Sequence, residues 1–133
     1  MEDSIFTKII KRELPAEIIY EDDLVIVILN RFPTIEGETL VITKEQVPYL
    51  FDLPQETYVH VFEITKRMAK ALDLAFSPLR TCVLVEGFEV PHVHVRLYPV
   101  TNPPLSIASG PMATDEELAR VGEKIRNALT QVP

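Results

Sequence analysis

A chain of 133 residues is long enough for one domain with a sizeable core and too short for two. Apolar residues make up 47% and charged residues 25%, a balance that excludes disorder, while 13 basic against 20 acidic side chains leave a net charge of −7, the wrong sign for gathering nucleic acid through its phosphates. The opening Met1-Glu2-Asp3 is no basic export leader, and no apolar run approaches the ~18 residues that span a bilayer, so the expectation is a cytoplasmic protein with no nucleic-acid or membrane partner.

In chain order, Asp3 or Ser4 caps a first helix whose Ile5, Phe6, Ile9 and Ile10 share a face, and Leu14-Pro15 ends it. Residues 17–21 and 24–30 are β-branched runs flanking Asp22-Asp23 and read as a hairpin. After the corner Asn30-Arg31-Phe32-Pro33 and Gly37, residues 39–43 form a third strand, apolar enough to be central. The clearest helix runs over 55–76, where Tyr58, Val61, Phe62, Thr65, Met68, Ala69, Leu72 and Phe76 recur at three- and four-residue steps until Pro78. Strands follow at 81–86 and 92–99 around the turn Gly87-Phe88-Glu89. A proline-rich loop leads to a helix of about 114–130, announced by Thr114 with Glu117 in capping-box spacing. The single Cys82 excludes an internal disulfide and reads as a small buried hydrophobe. The order of elements predicts an α+β fold over residues 1–133: an antiparallel sheet of about five strands with helices packed on one face.

Chemistry concentrates in Pro91-His92-Val93-His94-Val95-Arg96-Leu97-Tyr98-Pro99, where apolar and polar residues alternate strictly. On a strand Val93, Val95 and Leu97 then face the core, while His92, His94, Arg96 and Tyr98 share the other face, spaced about 6–7 Å apart at their bases. Their tips can converge on one anion. An ordinary solvent-facing strand is the plain alternative, although two of the chain's three histidines fall here beside an arginine. Two histidines on one face can also chelate zinc, but no third ligand is evident and Arg96 repels a cation. His60, alone on the long helix, reads as a surface or packing residue.

The run from Gly87 to Arg96 resembles the motif of the histidine triad (HIT) family: His, apolar, His, apolar, His, preceded by Glu-Val-Pro. Leu29-Asn30-Arg31-Phe32-Pro33 followed by Gly37-Glu38-Thr39-Leu40-Val41-Ile42 resembles the family's Asn-Arg-x-Pro corner and Gly-His-x-Leu-Val-Ile strand, and the likeness extends over about residues 3–100. The resemblance implies a homodimer that binds a purine nucleotide or nucleotide conjugate. It also implies hydrolysis or transfer of a nucleoside monophosphate through a nucleotidyl-histidine intermediate, with no cofactor. Carried onto this chain, His94 is the nucleophile, His92 orients the site, Arg96 takes the third triad position, Asn30 binds ribose hydroxyls, and Arg31, Glu38 and Glu89 complete the nucleotide-binding set.

The chain departs from the pattern at three family histidines, which are here Glu38, Gln46 and Arg96. Arg96 can clamp phosphate but cannot act as an acid or base, so a catalytically impaired nucleotide-binding protein is the alternative function. The uridylyltransferase branch has glutamine at that position. A Glu38–Arg96 ion pair would explain two of the replacements together. The paired cysteines that some members place near the start are Ser4 and Thr7 here, so no metal is expected.

Overall fold

The computed structural model describes residues 1–133 and contains α1 (Ile5–Ile10), β1 (Ile18–Glu21), β2 (Val25–Leu29), β3 (Thr39–Thr43), α2 (Gln55–Phe76), β4 (Arg80–Leu84), β5 (His94–Val100) and α3 (Asp115–Leu129). The strands form one five-stranded sheet in the order β1-β2-β3-β5-β4, antiparallel throughout. The chain leaves the sheet after β3, crosses it as α2, returns on the edge as β4 and then inserts β5 beside β3. The strand that carries His94 and Arg96 is therefore central.

β2 and β3 are buried along their whole length, which is why their sequences read as nearly continuous β-branched runs, and β5 is buried except at Arg96. One face packs Val27, Val41, Val95 and Leu97 against Val61, Ile64, Met68 and Leu72 of α2 and Leu118, Val121 and Ile125 of α3. The opposite face carries Ile26, Ile28, Leu40 and Ile42, capped by Phe6 and Ile9 of α1 with Ile10, Ala16 and Val90 at the margin. The two long helices thus take one face, as expected, and the short α1 shields part of the other.

Local signals act where they stand in the sequence. The Ser4 side chain caps α1 through the amide of Thr7, and Thr114 with Glu117 forms the capping box of α3. Asp22 closes the β1–β2 turn by accepting from the amides of Leu24 and Val25. Gly37 has φ of +91°, and a Cβ there would stand 2.7 Å from the Phe76 ring, so only glycine lets the corner before β3 seat on the end of α2.

Two expectations change. β5 starts at His94, because the amide of His92 bonds to Val90 O and that of Val93 to Val47 O, which commits the residues after Pro91 to a turn. Cys82 is only partly buried, because β4 is an edge strand with no neighbour on its outer side. No helix is long and apolar enough to cross a membrane.

Candidate active site

His92 and His94 are 0% and 2% exposed, which removes the solvent-facing reading of their strand. Two buried imidazoles must spend their polar atoms on something, and both do. His92 Nε2 lies 2.7 Å from Thr43 O, and His94 Nδ1 lies 2.7 Å from the carbonyl of His92. A carbonyl only accepts, so the proton sits on Nε2 of His92 and on Nδ1 of His94. The lone pair of His94 Nε2 is left uncommitted. Phe6 closes against the His94 ring edge-on with centroids 4.8 Å apart, and against His92 at 5.7 Å.

The remaining nitrogen of His92 is held from the chain's start. Ser4 Oγ stands 2.6 Å from His92 Nδ1, which has a lone pair to accept its hydrogen, while the same oxygen accepts from the Thr7 amide at 3.0 Å. Gln46 Oε1 takes the Ser4 amide at 2.8 Å and the Thr7 hydroxyl, and Gln46 Nε2 donates to Glu2 O. The residues at the family's cysteine and histidine positions, Ser4, Thr7 and Gln46, therefore replace a ligand set with one hydrogen-bonded cluster. That cluster offers a metal one imidazole nitrogen among hydroxyl and amide oxygens, a poor match to the nitrogen and thiolate donors zinc takes. No group of three or more His, Cys, Asp or Glu side chains converges elsewhere. Separation along the chain hid this cluster from sequence reading, though the three replacements share one cause.

Arg96 follows His94 on the same face, and its guanidinium takes part in none of the chain's ion pairs. The expected Glu38–Arg96 pair is not formed. Glu38, 1% exposed, instead receives Asn30 Nδ2 at 2.7 Å on one oxygen and the Thr34 amide at 2.8 Å on the other. An anion buried inside a tight corner is satisfied by the donors of that corner before it can reach across the sheet. Asn30 Oδ1 accepts from the Phe32 amide, so the same residues brace the turn from both sides. Tyr98, fully buried on the face of Arg96, has a hydroxyl with no hydrogen-bond partner.

The other predicted residues are dispersed. Arg31 reaches away to Asp115 and Ala113 O at the start of α3. Asn30 and Glu38 line a cleft of about 290 Å³ between the corner and α3, walled by Met112 and Leu118. Glu89 is exposed on the loop before β5. His94 opens onto a different cavity of about 130 Å³ formed with Pro48, Tyr49, Leu50, Phe51, Val85, Glu86 and Gly87. Glu86 is the residue that sequence reasoning passed over, its place in the short loop before the triad being the only signal. His60 has a partner after all, Asp22 Oδ2 at 2.6 Å, and so ties α2 to the first hairpin.

The electrostatics favour a neutral His94. Burial lowers the pKa of His94 from its ordinary 6.5; the hydrogen bond to His92 O opposes this, the Arg96 and His92 charges add to it, and Glu86 works against it. Burial likewise lowers His92, against the hydrogen bond to Thr43. Near pH 7 both rings are uncharged.

The HIT domain model matches residues 11–101, and the chain belongs to the HIT family. Its sequence is 31% identical to the adenosine 5'-monophosphoramidase of Saccharomyces cerevisiae over 129 residues, covering 96% of this chain and 82% of the yeast protein. A HIT-like protein from Bartonella henselae described as involved in cell-cycle regulation superposes with a TM-score of 0.84 at 30% identity, over 95% of this chain and 96% of that one. A zinc-bound histidine triad protein from Mycobacterium smegmatis superposes at 0.80 with 28% identity, over 96% and 93%.

Proposed function

We propose that this protein binds a nucleotide and hydrolyses or transfers a nucleoside monophosphate, with His94 as the nucleophile. The observation that carries the reading is the Nδ1 contact of His94 with the His92 carbonyl, which leaves Nε2 as a lone pair on a buried, neutral imidazole. Such a nitrogen is a good nucleophile at neutral pH, and a covalent intermediate splits one hard displacement into two easier ones. Two yeast relatives, from Saccharomyces cerevisiae and Schizosaccharomyces pombe, are adenosine 5'-monophosphoramidases, which supports a nucleotide as the substrate.

In this reading His92 holds the tautomer of His94 through its backbone, and Ser4 and Gln46 hold His92. Asn30 retains one amide hydrogen for a ribose hydroxyl, and Glu38 braces Asn30 rather than touching phosphate. The protein acts as a homodimer in the cytoplasm, with the nucleotide as its partner. The test is release of nucleoside monophosphate from nucleotide conjugates, followed by chromatography, in the parent and in His94→Ala. Turnover that vanishes in the variant supports the reading. Nucleotide binding without turnover in the parent favours the alternative of a binding protein whose triad is disarmed at Arg96.

A further inference from the structure

The side chain that succeeds His94 on the reacting face has a chemistry that limits what can leave. Arg96 is partly buried, carries its charge at every accessible pH, and spends none of its donors on an ion pair. Glu38 is held in its corner by Asn30 and Thr34, which leaves the guanidinium to an incoming ligand. The Tyr98 hydroxyl, buried and otherwise unpartnered, stands beside the guanidinium and can accept one of its hydrogens, leaving the other donors for an anion.

We infer that Arg96 is a specificity-determining residue that restricts the site to phosphoanhydrides, in which the group leaving the α-phosphorus is itself a phosphate, and disfavours phosphoramidates. The inference rests on the reading of His94 as nucleophile. In the first step the Nε2 lone pair forms a bond to phosphorus, the bond from phosphorus to the bridging oxygen breaks, and its electron pair departs with the leaving phosphate. The charge that develops there needs a cation, not a proton, and a forked guanidinium suits it. In the second step water bonds to phosphorus, the P–N bond returns its pair to Nε2, and one proton is released to solvent. An amine leaving group differs, because breaking P–N in the substrate puts the pair on nitrogen, which must be protonated as it leaves. Arg96 cannot supply that proton. Of the side chains lining the His94 cavity, only Glu86 and Tyr49 carry another ionisable group.

The test compares three adenylyl compounds at one pH: a dinucleoside triphosphate, an adenosine phosphoramidate, and the p-nitrophenyl ester of AMP, whose leaving group needs neither proton nor cation. The expected result is anhydride turnover exceeding phosphoramidate turnover by about 10²-fold or more in kcat/KM, the size of one general-acid contribution. Arg96→Gln is expected to slow the anhydride at least tenfold more than the ester, and Arg96→His to gain phosphoramidate turnover. Equal turnover of phosphoramidate and anhydride, both abolished in His94→Ala, overturns the inference and leaves the nucleophile standing; loss of the phosphoramidate reaction in Glu86→Gln would then name the proton donor. Ester turnover that survives His94→Ala overturns the nucleophile and the inference with it.

Discussion

The two sides of β5 and the turn that leads into it are built from alternate residues and solve opposite problems. Val95 and Leu97 are fully buried against α2 and α3, and any well-packed apolar residue there does the same work. His92, His94 and Tyr98 are nearly as inaccessible, yet burying them costs free energy unless each polar atom is partnered. The histidines are partnered by Ser4, Thr43 and the His92 carbonyl; Arg96 joins no ion pair and has the otherwise unpartnered Tyr98 hydroxyl beside it. The contrast teaches that the helix-covered face supplies stability, while the other face spends some of it to fix the tautomer of each imidazole and to keep a guanidinium out of any ion pair.

Substitutions on alternate residues separate these roles. His94→Ala is expected to cut turnover per folded molecule on the order of 10³-fold or more if His94 has its proposed role, and to cost about 1–3 kcal/mol for the lost packing on Phe6 and the lost hydrogen bond to His92 O. Leu97→Ala, its counterpart on the other face, should lose about 2–5 kcal/mol in urea denaturation and keep its turnover per folded molecule. If both variants lost stability and activity alike, the division between the faces would fail.

A smaller effect is expected at Ser4. Ser4→Ala leaves the buried Nδ1 of His92 without its donor and should cost about 1–3 kcal/mol, with a modest drop in kcat as the His92 carbonyl loosens its hold on His94. Thermal melts and steady-state kinetics on the same preparations read both. Unchanged stability would mean that the cluster at the chain's start does not support the site.

The smallest effects are shifts in pH dependence, and their signs differ. In the role proposed for it His94 must be neutral to attack, so activity should fall as it is protonated; because burial, with the Arg96 charge, lowers its pKa, the acid limb of kcat/KM should lie below pH 6.5. Arg96→Gln removes a cation that disfavours protonation and should move the limb to higher pH. Glu86→Gln removes an anion that favours it and should move the limb lower. Shifts of the same sign in both variants would contradict the placement of these charges around His94.

Much of this was legible in the residues. Periodicity marks α2, the capping box marks α3, and alternation through the segment 92–97 separates Val93, Val95 and Leu97 from His92, His94 and Arg96. Partnerships across the fold were not. Glu38 meets Asn30 and the Thr34 amide because the corner closes on itself, a contact that outcompetes the longer reach to Arg96. Ser4 meets His92 across 88 positions, and Gln46 joins them only once β3 and α1 are packed. His92 leaves the strand because Pro91 and the bond of its amide to Val90 O turn the backbone there. Such contacts depend on distances that spacing along a chain does not encode.

The most direct measurement is a rapid alkaline quench of the protein turning over a nucleotide substrate labelled at the α-phosphorus, followed by mass spectrometry of its peptides. Alkali preserves a P–N bond that acid would cleave. A nucleoside monophosphate carried on His94, absent in His94→Ala, is the predicted result; turnover with no adduct on His94, or with the adduct on another residue, would contradict it.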